Sequence, residues 1–269
     1  MELRGRTAVV TGAAHGIGRA ASRHLARAGC RLALVDADPD GLGEALAELS
    51  EADAPVTKHL LDVSDWKVTL QLPENVLEQH GAVDILVNNA GVALNARFED
   101  CDLDDFDRVM GVNFGGVVRM CHAFLPHLRA RREAAIVQVL SGFALIGFAG
   151  KSAYCASKAA VRAFTQALRA ELAPGGVRLI EFYPGPVDTG FIARGRARDP
   201  AQLEAEARFV AERGLSVDRV AQRLVGALRG RRTRVFVGLE PRLADFVSRL
   251  SPGLAHALVL RAQRRLPWV

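Results

Sequence analysis

Short runs of β-branched and aliphatic residues recur along the chain, beginning near Thr7, Leu32, Val56, Ile85, Ile136, Val177 and Val235. Between them apolar residues return every three or four positions, the spacing of helices with one buried face. The alternation predicts an α/β fold: a doubly wound three-layer sandwich, with a mostly parallel sheet of about seven strands and helices on both faces. In such a fold ligands bind beyond the carboxyl ends of the strands. No internal repeat, low-complexity tract or interdomain linker interrupts the 269 residues, so a single domain over 1–269 is expected.

The ends of the first two strands carry the first chemistry. Thr7 to Val10 runs directly into TGAAHGIG, Thr11 to Gly18, with glycines at 12, 16 and 18. Glycine lets the backbone turn tightly and approach a diphosphate, whose charge then meets backbone N–H groups and the positive end of the following helix. The spacing is GxxxGxG, not the GxGxxG of dinucleotide-binding turns in general. The second strand, Arg31 to Val35, ends at Asp36, where an acid can accept hydrogen bonds from an adenosine ribose. The alternative is an acid that caps a helix in the DADPD turn, where Asp38 precedes Pro39. An acid at the ribose repels a 2′-phosphate, and no Arg or Lys lies between Gly12 and Gly16 to offset it, so NAD is favoured over NADP.

Tyr154 and Lys158, in SAYCASKAA, stand four residues apart and share one face of a helix. A phenol titrates at about 10 and is a poor base at neutral pH, but a neighbouring cation favours the phenolate. Ser141, upstream, supplies a hydroxyl for the reacting oxygen. Tyr-Lys pairs of this spacing also occur on ordinary solvated helices, so the site rests on the surrounding motifs.

From about residue 5 to 190 those motifs together resemble the short-chain dehydrogenase/reductase family, single-domain enzymes with a Rossmann-type dinucleotide-binding fold. TGAAHGIG (Gly12, Ala14, His15, Gly16, Ile17, Gly18) and YCASK are joined by LDVSD, whose Asp62 and Val63 resemble the pair bordering the adenine. NNAG follows the strand DILV, and its Asn89, Ala90 and Gly91 match a segment that in the family stabilises the sheet and lines the cofactor pocket. The resemblance implies Asn113, Ser141, Tyr154 and Lys158 as catalytic residues. It also implies Pro184, Gly185, Val187 and Thr189, in YPGPVDT, as neighbours of the nicotinamide. In the mechanism it implies, Tyr154 is the base, Lys158 lowers its pKa and bonds the nicotinamide ribose, Ser141 orients the substrate oxygen, and Asn113 holds a water linking Lys158 to solvent.

Composition narrows the alternatives. Four cysteines, at 30, 101, 121 and 155, form no CxxC pair and read as free thiols in a reducing cytoplasm. Seven histidines show no metal-binding spacing, so no metal is expected. MELRGRTAVV enters the first strand with no signal peptide, and no apolar stretch is long enough to span a bilayer. The net charge of +5 lies in arginine clusters near helix ends, and two tryptophans and two tyrosines make poor stacking platforms, so nucleic acid is not expected as a partner.

The substrate side is the least regular. Segment 190–216 departs from strand-helix order, and the resemblance makes it the lid over the substrate. Phe143, Leu145, Ile146 and Phe148, with Val92, Ala93, Leu94, Phe191 and Ile192, are candidates to face the substrate, about half of them alternatively packing in the core. Their apolar character predicts a lipophilic secondary alcohol or ketone as substrate. The family pairs through long helices, here roughly Leu103 to Arg129 and Ser152 to Leu172. Phe106, Val109, Val117, Val118, Val161 and Phe164 could form more than one apolar face on these helices, one serving the sheet and another a partner, and a homodimer or homotetramer is expected. After a final strand at Arg234 to Val237, residues 241–269 form a basic amphipathic extension in two helical stretches split at Ser251 to Gly253. Packing on the enzyme, where it walls the pocket, is favoured over peripheral contact with an anionic membrane. Two other functions share the motifs: an NAD-dependent epimerase or dehydratase, and a non-catalytic nucleotide-binding regulator.

Overall fold

A computed structural model describes residues 1–173, 175–264 and 266. In chain order the elements are β1 (Thr7–Thr11), α1 (Gly16–Arg27), β2 (Arg31–Asp36), α2 (Pro39–Ala47), β3 (Val56–Leu60), α3 (Trp66–His80), β4 (Ile85–Asn88) and the two-residue β5 (Leu94–Asn95). They continue with α4 (Leu103–Met110), α5 (Val117–Arg129), β6 (Ala134–Val139), α6 (Ser152–Leu172), β7 (Val177–Pro184), β8 (Arg196–Ala197), α7 (Pro200–Arg213), α8 (Val217–Arg229), β9 (Arg234–Val237), α9 (Glu240–Leu250) and α10 (Pro252–Gln263). Seven strands form one sheet in the order β3-β2-β1-β4-β6-β7-β9, every pair parallel. The expected doubly wound sandwich is the fold, and the expected seven strand starts all fall in this sheet.

Successive side chains of a strand point to opposite faces, and the two cores divide accordingly. Ala8 and Val10 of β1, Leu32 and Leu34 of β2, and Ile85 and Val87 of β4 face the core shared with α1, α2 and α8. Val9, Ala33, Val35 and Leu86 face the core that takes in Val76 of α3, Phe124 of α5 and Val161 of α6. Both faces being covered, the strands read as continuous apolar runs.

Two long-helix expectations change. The segment Leu103 to Arg129 is not one regular helix: between α4 and α5 the turn widens to π geometry over Gly111–Gly116. Apolar periodicity cannot register one extra residue in a turn, and such bulges gather at functional sites. Of the six residues expected to divide between a face for the sheet and a face for a partner, Val109, Val117 and Val161 are buried in this chain's own cores, and Phe106, Val118 and Phe164 are half-exposed. Segment 190–216 is not irregular throughout, since β8 pairs with β5 and α7 fills most of the remainder.

Candidate active site

A cavity of about 1330 Å³ lies beyond the carboxyl ends of the strands. At one end β1 turns into α1. Gly12 and Gly16 adopt φ of 65° and 49°, a left-handed backbone that glycine takes without strain. A Cβ at Gly12 would lie 2.8 Å from Asn89 Nδ2, and one at Gly18 would collide with the Gly12 carbonyl oxygen. Gly12, His15, Gly16 and Ile17 line the cavity; Gly18 is buried behind them, where it lets α1 press against the turn. Helices α2, α3 and α4 each start at an aspartate whose side chain caps them, whereas the first turn of α1 has neither a side-chain cap nor an acid. Its N–H groups are left for an anion.

The two acids of DADPD separate as the sequence allowed. Asp38 caps α2 by accepting from the Asp40 and Gly41 N–H groups, and its other oxygen lies 2.6 Å from His15 Nε2. Asp36 lines the cavity at the end of β2, oriented by N–H groups of Ala14 at 2.9 Å and Asp38 at 3.0 Å. Arg19, the nearest base on α1, is engaged by Glu44 and Glu48. The end of β2 therefore presents an acid to the cavity, and the nearby Arg19 is already paired. Asp62 fixes its own turn by accepting from Ser64 N–H, and Val63 packs on Gly116 across the wall.

After β4, Asn89 ties the floor together. Its Nδ2 donates to the Thr11 and Gly12 carbonyls, and Thr11 Oγ1 accepts from the N–H groups of Asn89 and Ala90. Asn113, in the π turn, is fully buried and does not itself line the cavity. Its Oδ1 accepts from Val92 N–H at 2.8 Å, and its Nδ2 donates to the Val92 carbonyl and Ser157 Oγ. Gly91 runs close beside it: a Cβ there would lie 3.1 Å from Asn113 Oδ1 and 3.8 Å from Lys158 Nζ.

Ser141, Tyr154 and Lys158 converge on the cavity from the end of β6 and from α6. Ser141 Oγ accepts from Phe143 N–H at 3.2 Å, which leaves its own proton to donate. Lys158 Nζ donates to the Val139 carbonyl at 3.0 Å and lies 5.7 Å from the centre of the Tyr154 ring. Burial raises the Tyr154 phenol above its ordinary value against an opposing hydrogen bond with Ser141, and burial lowers Lys158 to about 8. The expectation that the lysine lowers the phenol meets a stronger effect here: an enclosed site disfavours both charges.

Phe143 stands edge-on to Tyr154 at 6.2 Å and 5.3 Å from Phe148, while Phe191 lies 6.0 Å from Tyr154 on the other side. Val92, Ala93, Leu94, Ile146 and Ile192 also reach the cavity; Leu145 packs in the core instead. Pro184, Gly185, Val187 and Thr189 border the same space, and Ala14 contributes only its backbone N–H behind the wall.

The chain belongs to the short-chain dehydrogenase family. That family's model matches residues 6–199. The putative oxidoreductase SadH of Mycobacterium tuberculosis (strain ATCC 25618 / H37Rv) is 35% identical over 98% of this chain and 98% of its own length. The 1-deoxy-11-beta-hydroxypentalenate dehydrogenase of Streptomyces avermitilis is 35% identical over 91% of this chain and 90% of its own. A short-chain dehydrogenase/reductase from Burkholderia phymatum, solved in complex with NAD, superposes with a TM-score of 0.88 at 28% identity, covering 95% of this chain and 97% of that one. This short-chain dehydrogenase is accordingly an oxidoreductase.

Some of its cavity was not anticipated. The substrate-facing candidates were all apolar, yet Lys151 and Glu206 line the space as a buried ion pair with Nζ–Oε2 of 2.5 Å, and Asn95 Nδ2 joins Glu206 at 3.1 Å. No spacing links residues 95, 151 and 206, so no local signal could announce them. Helices α9 and α10 also wall the cavity, through Pro241, Ala244, Val247, Ala255 and Val259 among others. Phe246 and Leu250 on the outer side of α9 remain 62% and 71% exposed. Arg265, part of the expected basic surface, lies outside the described residues, as do 267–269.

Proposed function

We propose that this enzyme transfers a hydride between NAD and a lipophilic secondary alcohol or ketone, running as an alcohol dehydrogenase. The observation that carries the reading is a single cavity with an uncapped helix terminus and Asp36 at one end and Ser141, Tyr154 and Lys158 at the other. The residues fit NAD: Gly12 to Ile17 would hold the diphosphate, Asp36 the adenosine ribose, and Val63, Ala90 and Val187 the rings. When bound, NAD supplies the hydride acceptor.

The chain's own groups handle the proton. Tyr154 takes the hydroxyl proton of the alcohol as its phenolate, a form that burial disfavours and the Lys158 ammonium beside the ring favours. Ser141, its Oγ held by Phe143 N–H, donates to the same oxygen and bears its developing charge. Lys158 keeps N–H groups for the nicotinamide ribose beyond its bond to Val139. Asn113 and Lys158 both stand beside Gly91, which supports their sharing a water that returns protons to solvent. Asp36, with the nearby Arg19 already paired, supports NAD over NADP, and NAD in turn supports oxidation as the working direction. The aromatic residues around Tyr154 support a lipophilic substrate, and a relative named for a hydroxypentalenate is consistent with one. An epimerase or dehydratase would use the same Ser-Tyr-Lys set but needs a substrate domain, for which this fold has no counterpart among the described residues.

Segment 190–216 acts as a lid in this reading, and the tail belongs to the enzyme because its inner face walls the cavity. No helix among the described residues is long and apolar enough to cross a membrane. A cytoplasmic site suits four free thiols. The outer side of α6 exposes Ala156, Ala159, Ala163 and Ala170, a surface low enough for close approach of a second copy. Light scattering is expected to give at least twice the 29.0 kDa of one chain; a stable monomer would refute the dimer. The activity itself is tested by NADH formation from cyclic, steroidal and long-chain secondary alcohols, offered with NAD and with NADP. Turnover with NAD and a hydrophobic alcohol is expected. No turnover with any alcohol would remove the reading.

A further inference from the structure

Helix α7 has fourteen residues, and among them only Glu206 is buried. A surface helix ordinarily buries an apolar stripe, so a carboxylate as its most buried residue is unusual. Its partners come from two other segments: Lys151, at the residue before α6, and Asn95 on β5. Lys151 is 4% exposed, Glu206 5% and Asn95 2%. Bringing two charges out of water is costly, and an apolar pair of similar volume would close the wall at least as well.

The cluster is also incompletely used. Among the described residues Lys151 Nζ donates one hydrogen bond, to Glu206 Oε2, and Glu206 Oε1 accepts none. An ammonium has three N–H groups and a carboxylate two accepting oxygens, so donors and an acceptor remain. Both side chains line the cavity. Lys151 stands at the N-terminus of α6, three residues before Tyr154, and lines the same cavity. Burial acts most on the Tyr154 phenol, and the Glu206 charge adds a smaller effect in the same direction.

We propose that Lys151 and Glu206, held by Asn95, form a polar subsite that recognises a second oxygen function, a hydroxyl or carbonyl, on a carbon near the one Tyr154 serves. The inference rests on the alcohol-oxidising function above and narrows its substrate class: a lipophilic body carrying two neighbouring oxygens. Lys151 donates to the second oxygen, and when that oxygen is a hydroxyl Glu206 Oε1 accepts a hydrogen bond from it. Because the pair joins α6 to α7, a substrate that engages it also holds α7 against the cavity.

The test compares cyclohexanol with its vicinal diol, and a long-chain secondary alcohol with its vicinal diol. Each pair is given with NAD to the wild type, Glu206→Gln and the double variant Lys151→Met/Glu206→Leu. The double variant removes both charges at once, so it leaves no unpaired ion and keeps the wall filled. The wild type is expected to prefer each diol by at least about tenfold in kcat/KM, through KM, because a site built to bond an oxygen discriminates against its absence. In both variants that preference falls to about one, while NADH affinity is unchanged. A merely structural pair predicts the opposite: equal losses for alcohol and diol in Glu206→Gln, and recovery of both in the double variant. No diol preference in the wild type, or one that survives in the double variant, overturns the proposal. If no alcohol is oxidised, the activity reading fails and the subsite is judged by saturation-transfer NMR on the NADH complex. Selective saturation of the diol over cyclohexanol, lost in Glu206→Gln, upholds it, and equal saturation removes it.

Discussion

At the nucleotide end of the cavity the wall is made largely of backbone. Gly12, Gly16 and Gly18 are required by contacts under 3 Å or by a left-handed φ, Asn89 and Thr11 join two strand ends, and Asp36 is aimed by two N–H groups. At the substrate end the wall consists of helices that hold few buried residues: Glu206 in α7, Pro241 and Asp245 in α9, Ala255 in α10. Asp245, like Glu206, is ion-paired, to Arg234. The first end is preformed because one backbone geometry satisfies it. The second is held by helices with few buried residues, two of them ion-paired acids, and so admits variation in what it binds.

The contrast is sharpened first at Asp36. Asp36→Ala with Ala37→Arg removes the repulsion and supplies a partner for a 2′-phosphate, and should shift the NADP-to-NAD ratio of kcat/KM by about 100-fold, or roughly 2.7 kcal/mol. A wild type that already prefers NADP would contradict the role given to Asp36. Next, Gly18→Ala should cost about 1–3 kcal/mol of stability, since the added methyl meets the rigid Gly12 carbonyl, and it should weaken NADH. Denaturant unfolding and NADH fluorescence check this, and an unchanged midpoint would show that the turn is more compliant than its contacts indicate.

The smallest effect concerns Lys158. Its pKa lies near 8 instead of 10.5, so between those values the folded chain binds fewer protons than the unfolded one. The buried charge is therefore most destabilising below pH 8, and its cost is gone above 10.5. Lys158→Met should raise the melting temperature at neutral pH by a few degrees, with the gain shrinking as pH approaches 10.5, while NADH binds more weakly. A gain that is independent of pH would exclude the buried charge as its cause.

The same contrast explains what could be read in the sequence. Strand positions, the glycine turn, Asp36 and the Tyr154–Lys158 pair are local features, set by a period of two, by φ, or by a single helical turn. Asn113 was visible as a residue, but its work within a π turn was not, because the widened turn leaves no mark in apolar spacing. Which of Phe106, Val109, Val117, Val118, Val161 and Phe164 serve the core was not legible, because periodicity shows that a face is apolar, not what covers it; Val109, Val117 and Val161 turn out to be the buried ones. Lys151, Glu206 and Asn95 meet only after three separate segments have folded.

The most direct measurement is kcat for alcohol oxidation in wild type and Tyr154→Phe, with the NADH dissociation constant measured beside it. Loss of the phenol should lower kcat by about 10²- to 10⁴-fold while NADH binds as before, since the ring still fills its place between Phe143 and Phe191. A variant that turns over within about threefold of the wild type would contradict proton transfer by Tyr154, and with it the mechanism.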